Sequence, residues 1–221
     1  MAEPTTQPPA GLDRAAEEAG FYHEAALNAA WTGSRIAVGA LSFLYGSFVF
    51  AYFYLRSVDS SGRWQGSGYH APSMVMGTLI MALVVVSAVV QYLALQRIKG
   101  GAKGAWLAGG AVALLLGLAA MVLQIFQLLN LPFAPGGSGF SSVFTGFYPV
   151  LVVSILGAMI WLEILLMRAR PLPGIFFVEQ PPTYAEAFAV QRFQSSLSAF
   201  TLIWNYLAVV TIFFWVLFYL L

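Results

Sequence analysis

"SAFTLIWNYLAVVTIFFWVLFYLL", residues 198–221, runs for 24 positions without one charged side chain. A helix needs roughly 20 mainly apolar residues to cross the hydrocarbon of a bilayer, and this stretch supplies them. Working outward, four more stretches qualify: about 36–55, 73–95, 105–129 and 143–167. All are too long, and too uniformly apolar, for the short alternating strands of a membrane barrel. The expected fold class is therefore all-α: a polytopic membrane protein with five transmembrane helices in a bundle, residues 33–221. An amino-terminal segment, residues 1–32, precedes it.

Composition agrees. Hydrophobic residues make up 60% of the 221-residue chain and charged ones 9%, against about a quarter in soluble domains. Such a chain cannot cover itself with a solvated surface. Cysteine is absent, which excludes disulfides, thiolate metal sites and cysteine nucleophiles. The net charge of +1 implies no polyanionic partner, so no nucleic acid is expected.

The basic residues set the expected orientation. Arg14, Arg35, Arg97, Lys99, Lys103, Arg168, Arg170 and Arg192 fall on the side of the amino terminus and the second and fourth loops. Arg56 and Arg63 alone fall on the other. By the positive-inside rule the amino terminus is cytoplasmic and the last span delivers Leu221 to the outer face, with no exported domain expected after it. "MAEPTTQPPAGLDRAAEEAG" has neither a basic start nor an apolar core, so no signal cleavage is expected.

Between the spans, residues 1–10 read as disordered. "LDRAAEEAGFYHEAALNAAW" (12–31) reads as a helix at the membrane surface, with Asp13 as its N-cap. The short "QRIKGGAKG" makes the second and third spans antiparallel neighbours. The uncharged "NLPFAPGGSGFSS" suits a folded-back outer loop. It is no phosphate loop, because it lacks the Lys-Ser/Thr ending. In the fourth connection "TYAE" (183–186) has capping-box spacing and is expected to start a helix that runs into the last span. Gly39, Ala40, Gly46, Ser47, Gly109, Gly110, Gly117, Ser154 and Gly157 are small residues in the spans, which suit close helix packing in lipid. Trp31, Trp64, Trp106, Trp161 and Trp204 sit near span ends, where interface anchors are expected.

Few side chains offer chemistry at membrane depth. His23 and His70 fall on opposite expected faces and cannot share a metal. Glu163 is the one carboxylate inside an expected span. It reads either as a proton-handling group facing a partner or as an interfacial carboxylate pairing with Arg168 or Arg170. Gln124 and Gln127, three apart, share a helix face. They and Asn205, Tyr206, Thr78, Ser87 and Gln91 are expected to bond between helices. No catalytic, cofactor or metal site is expected. Glu163, Gln124, Gln127 and Asn205 are the candidate polar or proton-related positions.

The order of motifs resembles subunit III of the haem–copper terminal oxidases of the cytochrome c oxidase type, in a short five-helix bacterial form. The resemblance covers about residues 33–221. "SFLYGSFVFAYFYLRS" (42–57) is similar to the family's first common helix. "LGLAAMVLQIFQLLN" (116–130) carries Gly117, Gln124 and Gln127 at the family's spacing. "FTGFYPVLV" (144–152) resembles its Thr-Gly-Phe-His-Gly-x-His-Val, and "IWNYLAVVTIFFWVLFYLL" (203–221) its Trp-His-Phe-Val-Asp-x-x-Trp. The departures are consistent in kind. Leu41 stands at the family's first-span carboxylate, Gly77-Thr78 at its Asn-Thr pair and Gln127 at its third-helix acid. Tyr148 and Leu151 stand at its two histidines with Pro149 at the Gly between them, and Asn205 and Ala208 at its last His and Asp.

The resemblance implies a non-catalytic multi-pass subunit in the bacterial inner membrane. Subunit I is its main contact, with other respiratory-complex subunits and phospholipid as further partners. Haem and copper are implied in partner subunits and none in this chain. The same features suit an accessory protein of a nitric oxide reductase or another respiratory assembly. A small-solute carrier and a lipid-directed membrane enzyme are the readings from other classes. The first has little polar material for a path, and the second no His–carboxylate or metal constellation.

Overall fold

The computed structural model describes residues 10–60, 64–66, 70–179 and 181–221, and for residues 10–17 and 19 the backbone alone. Of residues 1–10, expected to be disordered, 1–9 lie outside the described residues, as does Arg63, while Ala10 begins a helix. Regular structure among the described residues is entirely helical: α1 (Ala10–Val58), α2 (Met74–Lys99), α3 (Lys103–Leu129), α4 (Gly139–Ala169) and α5 (Tyr184–Tyr219), with a 3-10 turn at Gly174–Phe177. All five α-helices are long and apolar enough to cross a membrane.

The helix ends are set by identifiable side chains. Ser73 caps α2 by accepting from the Met76 N–H (3.3 Å). Ser138 and Ser141 form a reciprocal capping box that starts α4 at Gly139, earlier than the apolar run alone suggests. At Thr183 the expected cap is present: its hydroxyl accepts from the Glu186 N–H (3.3 Å) and donates to the Glu186 carboxylate (2.7 Å). Helix α5 then continues unbroken into the last span. Two expectations at the amino terminus change. Helix α1 begins at Ala10, so Asp13 lies inside it rather than at its cap. The segment expected at the membrane surface is helical, and it runs without a break into the first span. Nothing in this Ala- and Glu-rich stretch stops a helix, since interior glycine costs only about 1 kcal/mol relative to alanine. At 49 residues and 1.5 Å per residue, α1 is about 73 Å long, far more than the ~30 Å of hydrocarbon.

Side-chain pairs give the helix directions. Ser87 donates to the Ala113 carbonyl (2.7 Å), and a side chain at Gly109 would meet Ala94 (2.8 Å). Rising numbers face falling ones, so α2 and α3 are the expected antiparallel hairpin. Gly110 faces Leu166 and Gly117 faces Met159, which makes α3 and α4 antiparallel. Helix α1 instead runs parallel to α5: His23 meets Tyr184, Ser42 meets Tyr206 and Tyr52 meets Phe218. Arg97, Lys99, Lys103, Arg168, Arg170 and Arg192 consequently gather at the end of the bundle where α1 begins.

Packing resolves into a square and an addition. Helix α2 packs along α3 and α5, and α4 along α3 and α5, while the diagonal pair α3 and α5 meets only through side chains such as Trp106 with Phe193 and Gln127 with Tyr219; α1 lies along α4 and α5. The chain is thus a four-helix bundle of α2–α5 with α1 laid against one edge. Helix α5 packs along three neighbours, and 56% of its apolar window is buried; for α1 the figure is 11%. Aromatic rings fill the junction of α1, α4 and α5, where Phe147 and Phe214 stack at 3.7 Å and Tyr45 meets both edge-on.

This arrangement sorts the small residues. Gly109, Gly110 and Gly117 serve internal contacts: a side chain at the first two would come within 2.8 Å of Ala94 and Leu166. Gly39, Gly46 and Gly157 have nothing within 4 Å. The tryptophans are sorted too, against expectation. Trp106 and Trp204 are fully buried, not interface anchors, while Trp31, Trp64 and Trp161 are partly exposed. Distance from a span end does not reveal which face a residue occupies, and α5, enclosed on three sides, buries most of its faces.

Candidate functional site

The densest polar group in the bundle is built by α3 and α5 at the end opposite the basic residues. Gln124 and Gln127 project from one face of α3 and are buried. The Gln124 Nε2 donates to Gln127 Oε1 (3.2 Å), and Gln127 Nε2 donates to the Tyr219 hydroxyl (2.8 Å) and the Ser73 carbonyl (3.4 Å). Tyr219 in turn neighbours the buried Tyr148 phenol. One junction therefore ties α2, α3, α4 and α5 together. Gly77 makes it possible, because any side chain there would collide with the Tyr219 ring. All members are neutral amides and phenols, which hold helices together in lipid at about 0.6 kcal/mol per bond. Sequence spacing found the two glutamines. It missed Tyr219, which lies 92 positions from Gln127 and is brought to it only by the fold.

Of the expected interhelical groups, Gln127 reaches α5 and the start of α2 while Gln124 bonds only within α3, and three others bond between helices. Ser87 bonds to α3. Thr78 Oγ1 accepts from the Trp215 indole of α5 (3.1 Å), and Tyr206 accepts from Ser42 of α1 (3.0 Å). Tyr45 adds a further bond, donating to Ser154 of α4 (2.8 Å). Two do not. Gln91 is fully buried and neither its Nε2 nor its Oε1 finds a partner among the described residues; the Trp106 and Trp204 indole nitrogens share that condition. Asn205 is half-buried and makes no hydrogen bond among the described residues. It lines an apolar groove of about 280 Å3 between α2 and α5, with Ala88, Tyr92 and Ala208.

Glu163 faces outward from α4 among exposed Leu156, Ile160, Ile164 and Met167. It forms no ion pair with Arg168 or Arg170, the partners expected for an interfacial carboxylate. Both arginines lie further along the helix and are exposed. The junction glutamines, Asn205 and Glu163 therefore occupy separate places, and no single polar path joins them. The histidines are equally dispersed. His23 shares a hydrogen bond with Tyr184 (2.9 Å) and packs against Phe188 (4.7 Å between rings), bracing α1 against α5. His70 is exposed at the other end. No three His, Asp or Glu side chains among the described residues are grouped to hold a metal.

The residues at the positions singled out by resemblance are mostly turned inward. Tyr148 is 5% exposed, Leu151 0% and Ala208 6%, and Leu41 packs partly buried against the core. The bundle can pack, and it can present faces to neighbours. Comparison with protein-family models and with curated proteins finds no match to this chain.

Proposed function

We propose that this chain is a non-catalytic, subunit III-like component of a bacterial respiratory haem–copper terminal oxidase. It docks beside subunit I in the inner membrane, with the basic end of the bundle in the cytoplasm, and keeps the catalytic subunit assembled and durable during oxygen reduction and proton pumping. Haem and copper belong to its partners. One observation carries the reading: positions that ionise in the resembled family are neutral here and packed into the bundle, at Tyr148, Leu151 and Ala208. A charge at any of them would need a partner that the surrounding side chains do not supply, and an unpaired buried charge costs several kcal/mol. What is retained is shape.

The outer face of α1 supports the docking role. Gly39, Ala40, Gly46 and Ser47 are exposed there, flanked by exposed Phe43 and Phe50. Gly39 and Gly46 are open to the close approach of another helix. The test is deletion of the chain from its host. The expected result is a lower yield and a shorter working life of the oxidase with near-normal initial turnover. Immediate loss of all oxygen reduction would overturn the proposal.

A further inference from the structure

We infer that the groove between α2 and α5 seats a transmembrane helix of a different polypeptide, one that carries an amide or hydroxyl side chain bonding to Asn205. The groove holds about 280 Å3, and a stripe from each helix lines it: Val85, Ala88 and Tyr92 on α2, and Asn205, Ala208 and Ile212 on α5. Spacings of three and four residues keep each stripe on one face of its helix, over two turns or about 10 Å. The two helices are antiparallel. Thr78 meets the Trp215 indole (3.1 Å) near one end, and Ile98 lies with Leu197 near the other. Tyr92 and Asn205 therefore share the end of the groove nearer the basic residues, and the rest is apolar. Buried Ala88 and Ala208 keep its floor low, so another backbone can come close, which is the condition for helix association in lipid.

Asn205 sets what the occupant must offer. It follows Arg192, the last charged residue of the chain, by about 20 Å of helix, so only lipid chains surround the groove at its depth. Its amide is half-buried and unbonded among the described residues, and hydrocarbon cannot satisfy an amide. A neighbouring helix with Ser, Thr, Asn or Gln at that level can. A second copy of this chain cannot. Copies in one bilayer sit at equal heights, and the Ser42–Tyr206 and Tyr45–Ser154 bonds put Phe43 and Gly157 level with Asn205. The exposed residues near that level, Gly39 and Phe43 on α1, Leu115 on α3 and Gly157 and Ile160 on α4, have no hydrogen-bonding side chain. Joining two copies groove to groove would set one hollow against another. The site is also separate from the outer face of α1, because α1 lies along α4 and α5 while the groove lies between α2 and α5. The inference does not rest on the proposed respiratory role.

The experiment is photo-cross-linking of the full chain in its native membranes, with p-benzoyl-phenylalanine placed at Val209, which is 63% exposed at the edge of the groove. The expected product is one polypeptide other than this chain, joined through an apolar segment long enough to cross the bilayer. That segment should carry Ser, Thr, Asn or Gln within about one turn of the joined residue. The same probe at Val153, 67% exposed on α4, should not yield that polypeptide. Asn205→Leu should lower the yield of the product roughly fivefold or more, and Asn205→Gln should keep most of it. Lipid adducts alone at Val209, a second copy of this chain, or a segment without a hydrogen-bonding side chain would overturn the inference whether or not the variants fold. So would the same product from Val153, or an undiminished yield in Asn205→Leu.

Discussion

Replacing Gln127 by Leu should destabilise the bundle, and replacing Gln124 as well should restore part of the loss. Gln127 accepts one hydrogen bond from Gln124 (3.2 Å) and donates to Tyr219 (2.8 Å) and to the Ser73 carbonyl (3.4 Å). Three such bonds, two of them reaching other helices and one within α3, amount to roughly 2 kcal/mol. The Ser73 carbonyl keeps its bond from the Gly77 N–H (3.0 Å), so it is not stranded. Gln124 is: it is 1% exposed, and in Q127L its amide loses its partner, a further cost of roughly 1–3 kcal/mol. Q127L should therefore lose roughly 3–5 kcal/mol by these sums. In Q124L/Q127L the stranded amide is gone, and the loss should return toward roughly 2 kcal/mol. Reversible unfolding in mixed micelles measures the full cycle. A double variant as unstable as Q127L, or less stable, would refute the idea that the junction is a closed hydrogen-bonded unit.

Other outcomes follow from the same packing. Gly110→Leu drives a side chain into Leu166 (2.8 Å) and should cost roughly 1–3 kcal/mol or more. Gly39→Leu, inside α1 with open space around it, should keep or slightly raise the isolated chain's stability but lower the amount of partner that co-purifies; equal co-purification would remove α1 as the docking face. Gln91→Met deletes two stranded buried polar atoms and should raise stability by roughly 1–3 kcal/mol, read as a higher midpoint in the same unfolding assay. A lower midpoint would mean that the amide is satisfied after all. Glu163→Gln, at an exposed site without an ion pair, should change stability by less than about 0.5 kcal/mol and leave proton pumping by the complex intact. A large fall in pumping would assign Glu163 to proton handling.

Much of the architecture could be read from residues alone, because lipid imposes a simple rule on length and polarity. The five spans, the α2–α3 hairpin and the Thr183 cap all follow from local chemistry. Faces did not follow. Helices such as α2 and α5 are apolar all round, so no periodic stripe marks the buried side. Nothing local therefore separates Trp204, buried in α5, from Trp161, partly exposed on α4. Gly39 and Gly110 look alike as letters, yet one is open and the other sits under Leu166. The polar junction was half legible: Gln124 and Gln127 announce a common face, but Tyr219 and Tyr148 join them only through tertiary packing.

The most direct measurement is gentle solubilisation of native membranes, capture of this chain by a carboxy-terminal tag, and an absorption spectrum of what comes with it. A subunit whose value is its packing surface should emerge in equimolar amounts with a haem-bearing polypeptide, show that partner's haem bands, and lose them once separated from it. Recovery of the chain without any redox-active neighbour would contradict the account, as would a haem band that stays with the isolated chain.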